Sequence, residues 1–482
     1  MRSRNPFIKG LAVFSSVLFI SGCQTLSNRQ NLATFDEEFA IGQYRVAAEN
    51  ALAAGSIQTD GTSNDLLWSL HAGTALTASG DYALSASVFD GAEALMKEED
   101  TEHIGRKAVE KVTATIINNN LNRYTPTVYD GVMVNTYKAL NFIFLEDLQN
   151  ARIEFNRAAD RQRRAEEHFK GRIEKQKQTL SDQKNKAKDN KPAAATIQYD
   201  KSREESENTI YAAFPELEEW KTYPDFVNPY TDYLHGLYFT LSSQDSDDYG
   251  KARHSLRRVA GMTPNNSAVA TDLKVAENLR RGVWSKHRLN PAVWVIFENG
   301  EAPLVEELQI PIPLFLVNDK VEYSQIALPK LSLRQQAYPH LEIYSGKKQL
   351  GKTELLASLD RVIQTEFKKE FPLKVTEAVA STLAKAFIQY KARQEFGLTG
   401  SLVAGIYQAS TTKADTRSWS SLPKEVQVAR LRKPGDGKLL IKAPGLSEPM
   451  QVELPDSQFS IVYVKASAPG AKPIYMIKGF DA

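Results

Sequence analysis

The hydrophobic pattern of this chain changes its period once, near residue 290, and that change divides what it can fold into. Before it, apolar residues recur at helical spacing between short breaks. After it, short alternating runs are separated by Pro and Gly. In the segment "HAGTALTASGDYALSASVFDGAEAL", Gly73 sits where one helix must approach another closely. Gly80-Asp81-Tyr82 interrupts the run, and Phe89 and Ala92 share a face of the next one. The same order of small, turn, aromatic and small residues returns in "YKALNFIFLEDLQNARIEFNRAAD", with Ala139, Phe142, Ala151, Phe155 and Ala158. It returns again in "YLHGLYFTLSSQDSDDYGKARHSLRRVAGMTP", with Gly236, Phe239, Tyr249, Ala252, Leu256 and the terminating Pro264. Gly42 to Ala54 supplies half of such a unit.

This pattern resembles the tetratricopeptide unit, a helix pair of about 34 residues whose apolar flank is buried only by the next pair. An irregular helical domain would use the same Ala and aromatic positions as ordinary core. The uneven spacing between copies favours a degenerate array over a regular superhelix. The resulting expectation is an α+β protein with a TPR-like all-α half over 32–290. Within it, a charged helical arm covers about 150–210, running to about 189, breaking near Asn190-Lys191-Pro192 and returning from about 197. Arg157, Arg161, Arg163, Arg164, Lys170, Arg172 and Lys175 on that arm suit either an anionic surface or plain solvation, and the solvated face is favoured.

Residues 291–482 are expected to form a mixed α+β domain. "AVWVIFENGEAP" reads as strand and turn, and "LQIPIPLFLVN" as a Pro-punctuated edge strand. "HLEIYS", "VQVARLR", "KLLIKA", "PMQVEL" and "FSIVYVKAS" are further strands. "ELLASLDRVIQTEF" has helical spacing and is expected to stop at Pro372, followed by a second amphipathic helix and a short small-residue one, "GSLVAGIYQAST".

The first residues address the chain. Arg2, Arg4 and Lys9 precede the apolar run Leu11 to Ile20, and Ile20-Ser21-Gly22-Cys23 follows as a bacterial lipobox would. An ordinary secretory signal could carry a cysteine by chance, but Cys23 is the one cysteine in the sequence and stands at the lipidation position. The expected layout is a signal peptide over 1–22 and a lipidated tether over 23–31. Three acyl chains, at about 0.8 kcal/mol per buried methylene, anchor such a protein durably. Gln24 rather than Asp after the cysteine points to the outer membrane, facing the periplasm. Acylation of Cys23 leaves no thiol for disulfides or metal. Losing Arg2, Arg4 and Lys9 moves the formal charge from +2 to −1. Nothing global then suggests nucleic acid.

Three segments, "NNNLNRYTPTVYDGVMVNTYKALNFIFLEDLQNARIEFNRAADRQ", "YPDFVNPYTDYLHGL" and "ADTRSWSSLP", together resemble an uncharacterised group of proteobacterial lipoproteins with a tetratricopeptide-like N-terminal half. The resemblance implies an envelope location and this fold, and it carries over no catalytic residue. Asp415, Arg417 and Trp419 in the last segment are the most pointed cluster. An acid, a guanidinium and an indole this close suit a sugar or carboxylate. They equally suit an internal ion pair beside a core indole, which is the favoured reading.

"GKKQLGKT", Gly346 to Thr353, matches G-x-x-x-x-G-K-[ST], yet Glu342 marks its strand as half exposed and no apolar strand ending in Asp follows. It is expected to be a hairpin turn at Ser345 to Lys348, with Thr353 capping a helix from Glu354. No zinc-protease, nucleophile-elbow or paired metal-ligand spacing occurs, and the seven histidines are scattered. The expected function is a non-catalytic scaffold with an envelope protein partner, using no nucleotide, metal or other cofactor. The alternative is an envelope glycan-binding protein or cell-wall hydrolase built around Asp415 to Trp419.

Overall fold

Helix ends in the first half coincide with capping chemistry. The computed structural model describes residues 30–105, 124–189, 198–224, 226–315, 320–411 and 413–481. Helix α1 covers 30–40 and α2 Tyr44–Ala54. Helix α3, Leu66–Ser79, starts where the Asp65 carboxylate accepts from Trp68 N–H and ends at left-handed Gly80 (φ 88°). Helix α4, Tyr82–Gly105, follows at once. Helix α5, Val128–Phe144, opens with a capping box between Thr127 and Asp130. Helix α6, Leu148–Asp189, is the long arm, α7 covers Tyr199–Ala212, and the break expected near Asn190-Lys191-Pro192 lies outside the described residues. A short α8, Glu216–Glu219, precedes α9, Pro229–Leu241, α10, Ser246–Met262, and α11, Ser267–Arg280. Asn228, Asp245 and Asn266 cap the last three.

Small residues set the helix spacing. A Cβ on Gly73 would lie 2.5 Å from the Phe89 ring, and one on Gly236 would lie 2.6 Å from Leu256 Cγ. Both glycines therefore admit a neighbouring helix at a distance no side chain allows.

The second half is built on a five-stranded sheet in the order β11-β10-β1-β7-β6. Its strands are β1 Ala292–Asn299, β6 Glu354–Ser358, β7 Glu425–Arg432, β10 Phe459–Ala466 and β11 Ile474–Phe480. Strand β1 pairs parallel with β10 and antiparallel with β7. All eight residues of β1 are buried because the sheet is covered twice. Trp294 and Ile296 face the helices, while Val293, Val295 and Phe297 face a four-stranded sheet. That second sheet runs β5-β4-β8-β9, from Lys348–Lys352, Glu342–Ser345, Lys438–Lys442 and Met450–Glu453. The molecule is α+β in three layers: helices, central sheet, small sheet. One apolar cluster runs from Leu66 in α3 to Phe480 in β11, across both halves.

Strands β2, Leu304–Phe315, and β3, Val321–Ser332, form a separate long hairpin. The Pro-bearing strand is an edge, as its sequence requires. Helix α7 covers that edge: Gln198 N–H donates to Phe315 O at 2.8 Å, and Phe315 N–H to Ser202 Oγ at 2.9 Å.

Three expectations are corrected here. Pro372 does not stop a helix, because α12 runs from Leu359 to Thr411 with Pro372 inside it. Phe371 and Val375, each 1 % exposed, fix both sides of the proline, so tertiary packing offsets a cost of about 3 kcal/mol. The segment "GSLVAGIYQAST" continues α12 and is not a helix of its own. Glu354–Ser358 is strand β6, paired with β7 through a bulge, so no helix begins at Glu354. Leu355 is 49 % exposed and Leu356 fully buried, which is strand alternation read as helical spacing.

Gly73→Ala is expected to destabilise the protein by about 1–3 kcal/mol through overpacking against Phe89. Gly171→Ala, in the interior of α6 with open space around its Cα, is expected to stabilise by about 1 kcal/mol. Urea midpoints of the two variants check the opposite signs.

Candidate functional site

The residue cluster singled out in the sequence is committed to internal contacts. Arg417 grips Asp415 with two donors, Nε at 2.8 Å and Nη2 at 2.6 Å. Trp419 is 1 % exposed and packs beside the stacked rings of Phe89 and Tyr137, at 5.9 and 6.0 Å. Its Nε1–H donates to Thr74 Oγ1 at 2.9 Å and to Ser421 Oγ at 3.1 Å. The indole is thus a plug that fastens the segment before Pro423 into the helical half. Asp415 and Arg417 remain partly exposed beside it, but the structure does not bring Trp419 to the same surface.

The matched phosphate-loop pattern forms the β4–β5 hairpin. Gly346 takes the first turn position with φ 57°, and Lys348 to Lys352 pair along β4 as a strand. Thr353 caps no helix, contrary to expectation. It is 3 % exposed, accepts from Leu341 N–H at 2.8 Å and donates to Gln427 Oε1 at 2.6 Å. A fan of free backbone N–H groups, which a phosphate needs, is not formed by this segment.

On the arm, the basic residues find partners close by. Arg157 pairs with Glu154 at 2.7 Å, Arg161 with Glu93 at 2.8 Å, and Arg163 and Arg164 both with Asp160. Lys170 is exposed, and the side chains of Arg172 and Lys175 lie outside the described residues, as does Cys23.

The groups with the most unusual environments were not singled out in the sequence. They lie between the helical layer and the central sheet. Glu298 ends the apolar run of β1, and its register partner in β10 is Lys465. The two form an ion pair at 2.8 Å with side chains 0 % and 3 % exposed. Tyr230 of α9 donates to Glu298 Oε1 at 2.9 Å, and Tyr137 of α5 to Oε2 at 3.2 Å. Burial first, and then the Glu298 charge, hold both phenols well above their ordinary range. A second tie joins Asp272 of α11 to Arg430 of β7 at 2.8 Å, with Trp294 Nε1–H at 3.0 Å and Tyr233 O–H at 2.7 Å. A third joins Glu301 to Arg334 at 2.9 Å, next to Asp36 of α1, which accepts from Ser420 Oγ. Opposite charges at the ends of otherwise apolar strands, as in "AVWVIFENG" and "FSIVYVKAS", were the available signal for the first tie.

Two arrangements carry catalytic residue types. His71 Nδ1 lies 3.1 Å from Ser421 Oγ, but both residues are fully buried. Burial drives the His71 pKa down to about 3. A neutral ring without solvent access cannot deprotonate Ser421 for an external substrate. Burial also raises Asp130 and Glu301 to about 7 and Asp232 to about 6. Each lies in a filled interface. Asp130 accepts from Thr127 N–H and Tyr124 O–H, both at 2.8 Å, and Asp232 from Gln162 at 3.1 Å. The cavity between α5, α6, α9 and the sheet holds about 10 Å³, one water's worth, and is lined by apolar residues such as Leu140, Phe155 and Ile461. Among the described residues no group of three His, Cys, Asp or Glu is set to hold a metal, and no helix is long and apolar enough to cross a membrane. Comparison of the chain with family models, curated proteins and solved structures returns no match.

Removing one partner of the Glu298–Lys465 pair should strand a buried charge. Lys465→Met is expected to destabilise by about 3–5 kcal/mol, and adding Glu298→Gln to recover most of that loss, measured by urea unfolding. For Asp130 the folded pKa lies above the unfolded one. Its contribution is therefore complete below about pH 4 and is lost as pH rises towards 7. The stability advantage of the parent over Asp130→Asn is accordingly expected to shrink between pH 5 and pH 8, read as the difference in urea midpoints.

Proposed function

We propose that this chain is a non-catalytic outer-membrane lipoprotein, acylated at Cys23 and facing the periplasm, that holds a protein partner in an envelope assembly. The helices of the first half follow a TPR-like grammar, in which the inner face of the array commonly takes a partner. In this chain the helices pack on the central sheet through Tyr137, Tyr230, Trp294 and Ile461. The surface offered to a partner is then the β2–β3 hairpin. The single observation that carries this reading is an apolar strip at its outer end: Tyr323 is 72 % exposed and Val321 45 %, on one face of β3. The glycan-binding and hydrolase reading has less support, because Asp415, Arg417 and Trp419 spend their polar groups on one another and on the core.

Affinity capture of the full-length protein from membranes, with mass spectrometry of what accompanies it, tests the scaffold. One reproducible set of envelope proteins is expected, reduced at least tenfold by Tyr323→Ser. Recovery of glycan alone, with no protein, would sink the reading. The anchor is tested separately: Cys23→Ser should abolish metabolic labelling by palmitate and release the chain from membranes.

A further inference from the structure

Arg157, Arg161, Arg163 and Arg164 of the charge cluster that the sequence made conspicuous are paired on α6, and most arginines of another cluster, brought together by folding, are not. Helices α10 and α11 are joined by a short loop, and their packing gathers Arg253 and Arg257 from one with Arg280 and Arg281 from the other. Arg280 lies against the backbone of α10, its Nε only 3.8 Å from where a Cβ on Gly250 would stand. Glu277 is the acid within this group, and Arg257 holds it at 2.6 Å. Among the described residues, Arg253, Arg280, Arg281 and Arg288 form no ion pair, and the Nε of Arg253 is enclosed without a partner. Desolvation, followed by the charges of Arg280 and Arg257, pushes the Arg253 guanidinium below its ordinary value.

Beyond α11 the chain turns at Gly282 (φ 68°) and presents Val283, 66 % exposed, and Trp284, 38 % exposed. Lys286, His287 and Arg288 follow in a 3-10 turn, with Asp481 near Lys286. The segment "RRGVWSKHR" thus sets an aliphatic and an indole side chain on the surface between two groups of cations.

We infer that this face, Arg253, Arg257 and the 280–288 loop, rests on an anionic phospholipid surface. Unneutralised guanidinium groups crowd together at a cost that phosphate oxygens relieve with charge-assisted hydrogen bonds. An indole flanked by arginines is suited to the headgroup layer, with the ring at the boundary and the cations reaching phosphate. Arg257, Arg280, Arg281 and Arg288 are exposed and not folded around a point, which matches an extended sheet of phosphates better than one enclosed ion. The contact does not depend on acylation of Cys23, and it would fix which side of the protein lies on the bilayer. Each arginine near such a surface adds about fivefold to the affinity.

Hydrogen exchange on the full chain in vesicles tests this. In phosphatidylcholine vesicles containing phosphatidylglycerol, amides 280–288 are expected to exchange at least tenfold more slowly than in pure phosphatidylcholine. The slowing should disappear in 0.5 M salt, where the screening length falls to about half of its ~10 Å value at 0.1 M. It should also disappear in Arg280→Gln/Arg281→Gln and in Val283→Ser/Trp284→Ser, with amides of α3 unchanged as a sign of intact folding. Equal exchange in the two vesicle types overturns the inference. Slowing by inorganic phosphate alone in neutral vesicles overturns it in favour of a free-anion site. Slowing in neutral vesicles that grows with protein concentration overturns it in favour of a protein partner.

Discussion

The contact on which both halves depend is the buried pair of Glu298 and Lys465. It stands in register on the two central strands and faces the helices. An isolated charge at this depth would cost several kcal/mol. The cost is met only because Tyr137 and Tyr230 reach in from two different helices to complete the carboxylate's hydrogen bonds. Strand register, helix position and side-chain ionisation are therefore coupled. A sheet slipped by one residue would leave Glu298 without its cation, and helices shifted by a turn would leave it without its phenols. Lys465 also lies 5.4 Å from the Phe39 ring, which extends the tie to the first helix.

The other polar ties repeat this logic at intervals along the interface. Asp272 with Arg430 joins α11 to the central sheet, and beside the Glu301–Arg334 pair Asp36 of α1 accepts from Ser420 of the second half. Burial raises the Asp272 and Glu301 carboxyls, a displaced ionisation of the kind that marks active sites in many enzymes. What separates them from a site is access, because every one is enclosed and its partners are the protein's own. The pair of His71 and Ser421 makes the same point, with suitable atoms near each other and no route for a substrate.

Charge on the outside follows a different rule. Along α6, Glu154 and Asp160 stand three or four residues from Arg157, Arg163 and Arg164 and pair with them, while Arg161 reaches Glu93 on α4. Between α10 and α11 the arginines come from separate helices, and their like-charge neighbours are visible only after packing. Folding is what brings Arg253 and Arg257 to the cations of the 280–288 segment.

Local chemistry was enough for much of the architecture. Caps at Asp65, Thr127, Asn228 and Asp245 and the glycines at 73 and 236 all act within a turn or a helix pair. Their consequences can be read from residue order, and the α+β layout with its helical first half follows from them. Period alone failed where competing packing decides, as at Glu354–Ser358, where a bulged strand imitates helical spacing, and at Pro372, where buried neighbours carry a helix through. The candidate site was legible as a cluster but not in its role, since Trp419 can be called a plug only once Phe89 and Tyr137 are known to pack beside it. Sequence by itself determined the helix pairs and most of the strands, because those depend on neighbours along the chain. The tertiary structure decided which charges are buried, which are satisfied and which face the solvent, because those depend on residues hundreds of positions apart.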